Sequence, residues 1–219
     1  MVKQSKGSSV LWVPGEVEAM WRDGEAGLWI GCDEAGRGPL AGPVTGAAVI
    51  FGSDFEGIAG LTDSKLLSSK RREALFPLIQ SQCLAYSIVD VGSDIIDSIN
   101  ILEASLQAMS TAVHNVLESV RNRDLIIRGV FVDGKQRLPI SGLAQYCYVK
   151  GDRRSFHIAA ASILAKVHRD GLMRDFSIQY PGYGFERHAG YGTKAHREAI
   201  QRLGRCSIHR KTFKVSGVD

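Results

Sequence analysis

The sequence predicts an α/β fold, in which helices flank a mixed β-sheet and a small helical lobe follows at the C-terminal end. Short apolar runs alternate with segments of helical periodicity along most of the chain. The 219 residues are enough for one domain with a hydrophobic core. After Phe176, glycine, tyrosine and basic residues become frequent. We therefore divide the chain into a leader over residues 1–27, a core over 28–175 and a lobe over 176–219.

Five apolar segments have the length and composition of strands. They cover residues 28–32, 44–51, 84–91, 125–133 and 144–150. A glycine-rich segment joins the first two. The leader before them is expected to be loose or partly helical.

Four segments are predicted helices, and they cover residues 69–80, 102–120, 155–173 and 193–203. The second has an apolar stripe at helical spacing that is predicted to be core: Leu102, Leu106, Met109, Val113, Val116 and Val120. In the first, Leu75, Leu78 and Ile79 are expected to share a buried face. Pro77 is expected to kink or end its last turn, and Thr193 is the predicted N-cap of the fourth helix.

The composition excludes several classes of protein. A hydrophobic content of 44% and a charged content of 23% are ordinary for a globular protein. No apolar run approaches the ~18 residues that a membrane span needs. The four cysteines are far apart and form no C-x-x-C pair, so neither a zinc site nor a set of disulfides is expected. Reduced thiols and a cytoplasmic location are therefore predicted.

Charge is distributed unevenly along the chain. Residues 1–110 contain 8 Lys and Arg against 14 Asp and Glu, a net charge of −6. Residues 111–219 contain 19 against 9, a net charge of +10. This asymmetry suggests a nucleic-acid-binding face built largely from the second half. A solvated basic surface is the alternative.

The most informative segment is DEAGRGPLAGPV at residues 33–44, which follows the first predicted strand. The adjacent carboxylates of Asp33 and Glu34 repel each other unless a cation holds them, and a hard divalent metal is the usual one. A regular strand would direct them to opposite faces, so we expect the chain to leave β geometry at Glu34. The glycines allow close backbone approach to a ligand, and Arg37 is suited to a phosphate. This combination indicates phosphodiester chemistry.

Two further carboxylates lie at the ends of predicted elements. Asp133 ends one strand and Asp152 follows another. Taken alone, Asp133 before a glycine is more typical of a turn, and Asp152 could be an acid that the dipole of the next helix favours. Together with Asp33 and Glu34 they would form a negative site for two divalent metals. Ligands that are all oxygen favour Mg²⁺ or Mn²⁺ over zinc.

Residues 33–44 resemble the signature of type 2 ribonuclease H, the ribonuclease HII family, and other blocks of that family follow in the same order. They are TDSKLLS at 62–68, NIL at 100–102, VDG at 132–134, KGD at 150–152, AAASILAK at 159–166, RD at 169–170, GYGT at 190–193 and HR at 209–210. The resemblance covers roughly residues 28–214.

The resemblance to bacterial members of this family implies a ribonuclease H-like fold. It also implies that the active-site acids are Asp33, Glu34, Asp133 and Asp152, and that they hold two divalent ions, Mn²⁺ or Mg²⁺. Asp170 matches a block of the family but lies deep in a predicted helix, so it is given a supporting and mainly structural role. Lys166 is a second supporting residue.

Recognition of ribose is a further implication, because the 2′-OH is the local difference between RNA and DNA. The family clasps this group with the backbone of the residues that match Gly36, Arg37 and Gly38. The tyrosine that matches Tyr191 bonds the 2′-OH and stacks on the next sugar, and Lys65 matches a phosphate contact. From the residues alone, Tyr191 could instead be a packing tyrosine and Lys65 a surface lysine. The aromatic residues Tyr180, Tyr183 and Phe185 are predicted to pack.

Six basic residues could neutralise duplex phosphates, or each could be a solvated charge: Lys166, Arg169, Arg197, Arg202, Arg210 and Lys211. Ala189 stands where the family commonly has lysine, so one phosphate contact is expected to be missing. Residues 211–219 contain no aromatic clamp-binding motif, so a sliding-clamp partner is not expected. The predicted partners are RNA–DNA hybrid and ribonucleotide-containing duplex DNA, bound by a monomer.

We therefore predict an endonuclease that hydrolyses the RNA strand of RNA–DNA hybrids and cuts 5′ of single ribonucleotides in duplex DNA. The predicted two-metal mechanism leaves 3′-OH and 5′-phosphate ends. One alternative is a hybrid-binding module without catalysis, but such a module would gain nothing from four acids that face a polyanion. The other is type 3 ribonuclease H, whose additional N-terminal domain is larger than a leader of 27 residues.

Overall fold

The computed structural model describes residues 15–22 and 27–217 of the chain. The prediction of a loose or partly helical leader falls largely on residues 1–14 and 23–26, outside the described residues. Residues 16–22 of that leader form a helix.

The first described elements are helix α1 (Glu16–Arg22), strand β1 (Leu28–Ala35) and strand β2 (Val44–Ile50). They are followed by α2 (Ser69–Gln82), β3 (Ala85–Val91), α3 (Ser93–Ile99) and α4 (Ile101–Val120). Strands β4 (Ile127–Asp133) and β5 (Ala144–Tyr148) precede α5 (Phe156–Gln179), α6 (Phe185–His188) and α7 (Lys194–Leu203). Short 3₁₀ turns lie before α2 and α5, at Ser64–Leu66 and Gly151–Arg153.

The five strands form one sheet in the order β3-β2-β1-β4-β5. Strand β1 pairs antiparallel with β2 and parallel with β4, β2 pairs antiparallel with β3, and β4 pairs parallel with β5. The prediction of a mixed sheet flanked by helices is therefore confirmed. Because β1, β4 and β5 run in the same direction, their carboxyl ends lie at one edge of the sheet.

Two helices cover the two faces of this sheet, and β2 shows how the core is divided between them. Ala48 and Ile50 belong to the hydrophobic cluster that contains α4, whereas Ala47 and Val49 belong to the cluster that contains α5. Successive strand residues point to opposite faces, so this fully buried strand supplies both clusters.

Glycines allow both helices to lie close to the central strands. A Cβ at Gly31 of β1 would collide with the backbone of His157 in α5, and one at Gly46 of β2 would collide with the backbone of Ala108 in α4. The alanine run of α5, buried from Ala159 to Ala161, serves the same close contact. This packing fixes the start of α5 against β1, the strand that carries two of the predicted active-site acids.

Helix α2 differs from the prediction in two respects. It continues past Pro77 to Gln82, so the proline does not end it. Burial of Leu75 and Ile79 offsets the backbone hydrogen bond that a proline removes. Leu78 is 43% exposed, so its predicted place on the buried face is wrong.

Helix α1 packs against the sheet beside β5. Its Val17 is fully buried, and the indole Nε1 of Trp21 donates to the Tyr148 hydroxyl at 3.1 Å. Glu18 accepts a hydrogen bond of 2.6 Å from the hydroxyl of Ser155, which is the N-cap of α5. Part of the predicted leader is therefore attached to the turn that carries Asp152.

The C-terminal segment packs on the core through its own hydrophobic cluster. Residues of this segment, among them Phe185 and Ile200, contact Leu40 and Ala41 of the glycine-rich segment and Met173 of α5. Helix α5 runs through position 175 without a break, so the proposed division of the chain at that position remains a prediction. Thr193 caps α7 as predicted, because its side chain accepts from the His196 N–H.

All four cysteines are unbridged in the structure, and their reduced state in the cell remains a prediction. No helix among residues 15–22 and 27–217 is both long and apolar enough to cross a membrane.

Candidate active site

The four predicted acids lie at one edge of the sheet, where the parallel strands end. Asp33 and Glu34 are near the end of β1, and Asp133 is the last residue of β4. Asp152 lies in the 3₁₀ turn between β5 and α5, which begins after Lys150 in a left-handed conformation. The topology therefore brings the acids of β1 together with Asp133 and Asp152, which follow about a hundred positions later in the sequence.

Strand β1 does not end at Glu34, so that prediction is wrong. Pairing with β2 continues through Glu34 opposite Gly46 to Ala35 opposite Thr45, and the left-handed turn comes at Gly36, where φ is +94°. Continuous antiparallel pairing holds this end of β1 extended. Asp33 Oδ1 nevertheless accepts from the Glu34 N–H at 2.7 Å, which turns that carboxylate along the strand.

Asp133 and Asp152 are connected through the turn before α5. Asp133 Oδ1 accepts from the Gly151 N–H at 2.8 Å, so the carboxylate at the end of β4 holds the residue that precedes Asp152. A Cβ at Gly151 would collide with Ile158, which leaves no space for a side chain there. The position of Asp152 therefore depends on Asp133.

The electrostatics confirm that the acids are close neighbours. Burial raises the pKa of Asp33 well above its ordinary value, and the negative charges of Asp133, Glu34 and Asp152 raise it further. Burial and the neighbouring Asp133 also raise the pKa of Glu34, against the opposing effect of Arg37. Burial, followed by the charge of Asp133, raises the pKa of Asp152 to about 7. Shared negative charge of this kind favours a bound cation.

Asp63 is a fifth carboxylate of this cluster, and the sequence analysis did not identify it. Its side chain is buried and shares a hydrogen bond with Asp152. Arg153 donates to its Oδ2 at 3.0 Å, and the Lys65 N–H donates to its Oδ1 at 2.8 Å. Two carboxyl groups can share such a bond only through a proton. Burial raises the pKa of Asp152, and the charge and hydrogen bond of Asp63 raise it further. The pKa of Asp63 is lowered in spite of its burial, chiefly by the hydrogen bond from the Lys65 N–H. The sequence did contain a signal for Asp63, because this residue lies two positions before Lys65 in the block at residues 62–68 that resembles the family.

Lys65 is exposed, and the negative charges of these acids act on its ammonium group. Burial opposes its charged form, but Asp33, Asp152, Asp63 and Asp133 together raise its pKa. Its ammonium group is therefore close enough to balance part of their charge. Its predicted contact with a phosphate remains a prediction.

The donor set fits a hard divalent cation, since it consists of carboxylate oxygens from β1, β4 and the turn before α5. Among residues 15–22 and 27–217, however, no group of three or more His, Cys, Asp or Glu side chains is arranged as a metal cage. Each acid has a local partner instead: Asp33 the Glu34 N–H, Glu34 the Arg37 guanidinium, Asp133 the Gly151 N–H and Asp152 the Asp63 carboxyl. The contacts of Asp33 and Asp133 each use only Oδ1, so the second oxygen of each carboxylate is still available to a metal.

The segment Gly36-Arg37-Gly38 begins directly where β1 ends. Arg37 Nη1 lies 3.5 Å from Glu34 Oε1, and the arginine side chain is half exposed. A Cβ added at Gly38 would lie 3.6 Å from Cε1 of Tyr191, so the tyrosine ring lies beside this glycine. The structure thus brings together the two parts of the predicted ribose site, which are more than 150 positions apart in the sequence.

Tyr191 is exposed, unlike the other aromatic residues of the lobe. Its exposed fraction is 43%, whereas that of Tyr183 is 8% and Phe185 is fully buried. Tyr183 and Phe185 therefore pack as predicted, and their rings stack with centroids 5.3 Å apart. The alternative that Tyr191 is a packing residue receives no support from this exposure.

Lys166 and Asp170 pair with each other one turn apart in α5, with the Lys166 Nζ 2.7 Å from the Asp170 Oδ1. Arg72 of α2 lies 3.7 Å from the other Asp170 oxygen. Lys166 and Asp170 both line a cavity of about 390 Å³, and Tyr191 lines the same cavity. Asp170 is not among the neighbours that raise the pKa of the four acids. A supporting role beside the site remains a prediction for both.

Two of the six basic residues predicted to meet duplex phosphates are buried. Arg169 is 1% exposed and Arg210 is fully buried, so neither can reach a phosphate on the surface. Arg202 and Lys211 are exposed, and Arg197 donates to the Gly192 carbonyl. The prediction therefore fails for Arg169 and Arg210, because backbone carbonyls hold both guanidinium groups inside the protein.

A row of histidines lies behind the Tyr191 loop. His196 Nδ1 lies 2.9 Å from the Tyr191 carbonyl oxygen, and His196 Nε2 lies 3.1 Å from His209 Nε2. His209 Nδ1 accepts from the Cys206 N–H at 2.9 Å. These contacts are all satisfied when both rings are neutral, with His196 Nδ1–H donating to Tyr191 and His209 Nε2–H donating to His196. Protonation of both rings would place two N–H groups face to face.

This row predicts a loss of stability in mild acid. Burial lowers the pKa of both His196 and His209 to about 4, from about 6.5 in an unfolded chain. As the pH falls from about 6.5 towards 4, the unfolded chain binds protons that the folded chain does not. The contribution of each histidine to the free energy of unfolding should then fall by at most about 1.4 kcal/mol per pH unit. The raised pKa of Asp152 acts in the opposite direction, so urea unfolding at pH 7 and pH 5 is compared between the wild type and a His196→Gln variant.

The control is His114, which is exposed on α4. The loss between pH 7 and pH 5 should shrink in a His196→Gln variant and stay unchanged in His114→Gln. Parallel pH curves for the wild type and His196→Gln would show that the row does not cause the effect.

The family profile described as Ribonuclease HII matches residues 30–216. The chain belongs to the ribonuclease HII family. A ribonuclease HII of Chlorobium chlorochromatii (strain CaD3) is 46% identical over 202 residues, which cover 90% of this chain and 94% of the relative. A ribonuclease HII of Albidiferax ferrireducens (strain ATCC BAA-621 / DSM 15236 / T118) is 50% identical over 188 residues, 86% of each chain.

Solved structures of ribonuclease HII and ribonuclease HIII have the same fold. A chain of the PCNA:RNase HII complex from Archaeoglobus fulgidus matches with a TM-score of 0.69 and 25% identity, over 85% of this chain and 95% of that one. Bst-RNase HIII in complex with Mn²⁺ matches with a TM-score of 0.68 and 17% identity, over 85% of this chain and 67% of that one. At that identity the second match shows the fold alone.

Family membership establishes the activity at a coarse level. The chain is a ribonuclease H-type hydrolase, an endonuclease that cleaves RNA in RNA–DNA hybrids and depends on divalent metal. The prediction of a type 2 enzyme is confirmed, and the type 3 alternative is wrong.

Proposed function

We propose that this ribonuclease HII also cuts duplex DNA 5′ of single embedded ribonucleotides, and that it uses two divalent ions and leaves 3′-OH and 5′-phosphate ends. The observation that carries the proposal is the continuity of the site. The acid-bearing end of β1 runs directly into Gly36-Arg37-Gly38, and the exposed Tyr191 ring lies beside Gly38. A site that recognises one ribose in duplex DNA needs its recognition groups next to its catalytic groups. The single 2′-OH is the only group that distinguishes this nucleotide from the surrounding deoxyribonucleotides.

The residues that would hold the ions are Asp33, Glu34, Asp133 and Asp152, and oxygen ligands favour Mg²⁺ or Mn²⁺. When bound, such ions supply an activated water and stabilise the leaving 3′ oxygen. The chain itself supplies the concentrated negative charge that selects cations over other solutes. It also supplies Lys65, an exposed lysine whose pKa the charges of these acids raise and whose ammonium group is available to a phosphate oxygen.

Positioning of the substrate falls to the residues around Gly38. Backbone N–H groups of Arg37 and Gly38 are donors for the 2′ oxygen, and the half-exposed Arg37 side chain can move from Glu34 to a phosphate. The Tyr191 ring offers a flat apolar surface for the next sugar. Recognition of one ribose therefore depends on groups from both the glycine-rich segment and the loop of Tyr191.

The alternative of a hybrid-binding module without catalysis is disfavoured by the same acids. Burial and mutual repulsion raise the pKa of Asp33, Glu34 and Asp152, which shows that their charges oppose one another. Such an arrangement destabilises the protein and repels a polyanion, so it is useful only when cations bind there.

The experiment that tests the proposal uses three duplexes of the same sequence. One contains a single ribonucleotide, one is a continuous RNA–DNA hybrid and one is DNA only. In Mg²⁺ or Mn²⁺ we expect cleavage of the first two, with a cut 5′ of the single ribonucleotide and 3′-OH and 5′-phosphate ends. Cleavage of the hybrid without cleavage of the single-ribonucleotide duplex would contradict the proposal.

Salt should weaken binding to the duplex, because bound Lys and Arg release condensed counterions. The logarithm of the binding constant should fall linearly with the logarithm of the salt concentration. Reversing two exposed charges of the lobe with Arg202→Glu and Lys211→Glu should reduce the slope by about 2, one unit for each phosphate that is no longer neutralised. Fluorescence anisotropy on a non-cleavable duplex provides the measurement.

The matched control reverses Arg121 and Arg123, two exposed residues that follow α4. This pair changes the net charge equally but lies at the end of α4, which packs on the opposite sheet face from α5. Equal slopes for both double variants would mean that the lobe is not the basic docking face. A monomeric state and a cytoplasmic location remain predictions.

A further inference from the structure

The two largest side chains that are fully buried in the described residues are both arginines. Arg169 of α5 and Arg210 near the C-terminus are 1% and 0% exposed. Within the described part of the chain neither forms an ion pair, and their hydrogen-bond partners are backbone carbonyl oxygens. Arg210 also lies over the Phe213 ring, 5.0 Å from its centroid. Burial of a cation is costly in free energy, which indicates that these two arginines have a role beyond packing.

Arg210 holds both ends of the glycine-rich loop. Its guanidinium donates to the Gly36 carbonyl at 2.6 Å and to the Arg37 carbonyl at 2.9 Å. It also donates to the carbonyls of Gly42 and Pro43 at 2.9 to 3.0 Å. Burial, together with the charge of Arg169, lowers the pKa of Arg210 to about 9, so the group is still charged at neutral pH.

These bonds determine the direction of two peptide groups. In a trans peptide the C=O and the following N–H point in opposite directions, and the described residues contain no cis peptide. Since the Gly36 and Arg37 carbonyls point to the buried Arg210, the N–H groups of Arg37 and Gly38 point away from it. Those are the two donors that the proposed ribose site requires.

Arg169 ties the same loop to the loop of Tyr191. Its guanidinium donates to the carbonyls of Pro43 at 2.8 Å and Ala41 at 3.1 Å, and to the carbonyl of Ala189 at 3.0 Å. The Leu40 N–H donates to the Gly190 carbonyl at 2.8 Å across the same contact. The two segments that meet at Gly38 and Tyr191 are thus joined by one guanidinium and by their own backbones.

There is little room for these segments to move. A Cβ at Gly36 would collide with Arg169 Nε, and one at Gly190 would collide with the Ala41 carbonyl. Both glycines have positive φ, +94° and +81°, which side chains disfavour. Arg169 behind Gly36 and the Ala41 backbone behind Gly190 therefore leave no space for a side chain at either position.

We propose that Arg169 and Arg210 are positioning residues for ribose recognition: they orient the Arg37 and Gly38 N–H groups and fix them at a set distance from Tyr191. This inference rests on the proposed function, because it assumes that these groups read the 2′-OH. Both arginines act from behind the loops and do not touch the substrate. A lysine cannot replace either of them, since one ammonium group cannot reach carbonyls on several sides as a planar guanidinium does.

The test measures selectivity, which a merely structural role would not change. In an Asp133→Asn background, expected not to cleave, we would measure Kd in Mg²⁺ for the single-ribonucleotide duplex and for the DNA-only duplex. The parent should bind the first more tightly. Arg169→Lys and Arg210→Lys should each reduce this ratio by about tenfold, the order expected when a charge-assisted hydrogen bond is lost. Affinity for the DNA-only duplex should stay nearly unchanged.

Arg71 of α2 provides the control, because its guanidinium also donates to a backbone carbonyl, that of Ala59, which belongs to neither of the two loops. Arg71→Lys should leave the ratio unchanged. If both arginine variants keep the parent's ratio, the inference is overturned while ribose recognition stands. If the parent itself shows no preference for the ribonucleotide, the proposed function fails instead.

A second measurement needs only the wild-type protein and covers the case of a variant that does not fold. Hydrogen exchange should be slow at the amides of Leu40 and Gly42, which bond across the contact to the Gly190 and Ile208 carbonyls. The exchange rates of these two amides are compared with those of the amides in the surface loop at residues 134–143. Equally fast exchange in both segments would show that the loop is not held in the free protein, and would overturn the inference.

Discussion

An Asp133→Asn variant should lose cleavage almost completely while it stays folded and still binds duplex. Asp133 has the largest charge effect of any neighbour on both Asp33 and Asp152, and its charge also contributes to the raised pKa of Glu34. Loss of one ligand charge should remove several kcal/mol of transition-state stabilisation, which is on the order of 10³-fold in kcat.

The fold should tolerate this substitution for a specific reason. Asparagine keeps the Oδ1 atom that accepts from the Gly151 N–H, so the turn that carries Asp152 can stay in place. It also removes one of several charges that repel one another. The melting temperature without added metal should therefore be unchanged or higher, and affinity for the duplex should be retained or increased.

The measurements are kcat at saturating Mn²⁺ and Mg²⁺, the melting temperature and the Kd for duplex. Asp124→Asn is the control, because it removes the same charge from an exposed position outside the site. Turnover close to that of the wild type at saturating Mn²⁺ would mean that Asp133 is not a metal ligand.

The sequence carried most of the information about which residues meet at the site. Apolar runs that stop at an acid mark Asp33 and Asp133 as strand ends, and Asp152 follows another predicted strand, but it was the resemblance to ribonuclease HII that assigned these acids to one site. The mixed sheet could be predicted from the order of the elements, and the capping role of Thr193 from local pattern.

The features that the sequence could not provide depend on contacts between distant segments. Strand β1 continues through Glu34 because β2 pairs with it, and residues 33–36 alone do not determine how far that pairing extends. The burial of Arg169 and Arg210 depends on carbonyls from loops far away in the sequence, whereas composition alone marks an arginine as exposed. Asp63 is a comparable case, because only the folded chain brings it to Asp152.

Substitution of Tyr191 should affect one substrate more than another, and this is the second large expected effect. The ring is 43% exposed and lies beside Gly38, so it is available to a sugar. Tyr191→Phe removes only the hydroxyl, and a lost hydrogen bond to a neutral group should cost about 0.5–1.5 kcal/mol. Tyr191→Ala also removes the stacking surface and should cost roughly 1–3 kcal/mol more.

Tyr86→Phe is the control for the chemical change. Tyr86 is a partly exposed tyrosine on β3, and its hydroxyl accepts from Gln80 of α2 rather than facing the site. This variant should keep the wild-type kcat/KM on every substrate. The same assay on Tyr191→Phe and Tyr191→Ala then reports the loss of recognition alone, provided that their melting temperatures match.

The decisive comparison is between a duplex with one ribonucleotide and a continuous hybrid. In the first, the sugar that follows the ribose is a deoxyribose, which the Tyr191 ring can approach closely. In the second, the next sugar carries its own 2′-OH, so close stacking is hindered and the tyrosine contributes less. The loss of kcat/KM in Tyr191→Ala should therefore be larger on the single-ribonucleotide duplex. Equal losses on the two substrates would mean that Tyr191 only supports its loop, and the proposal that its ring reads the ribose-to-deoxyribose step would then fail.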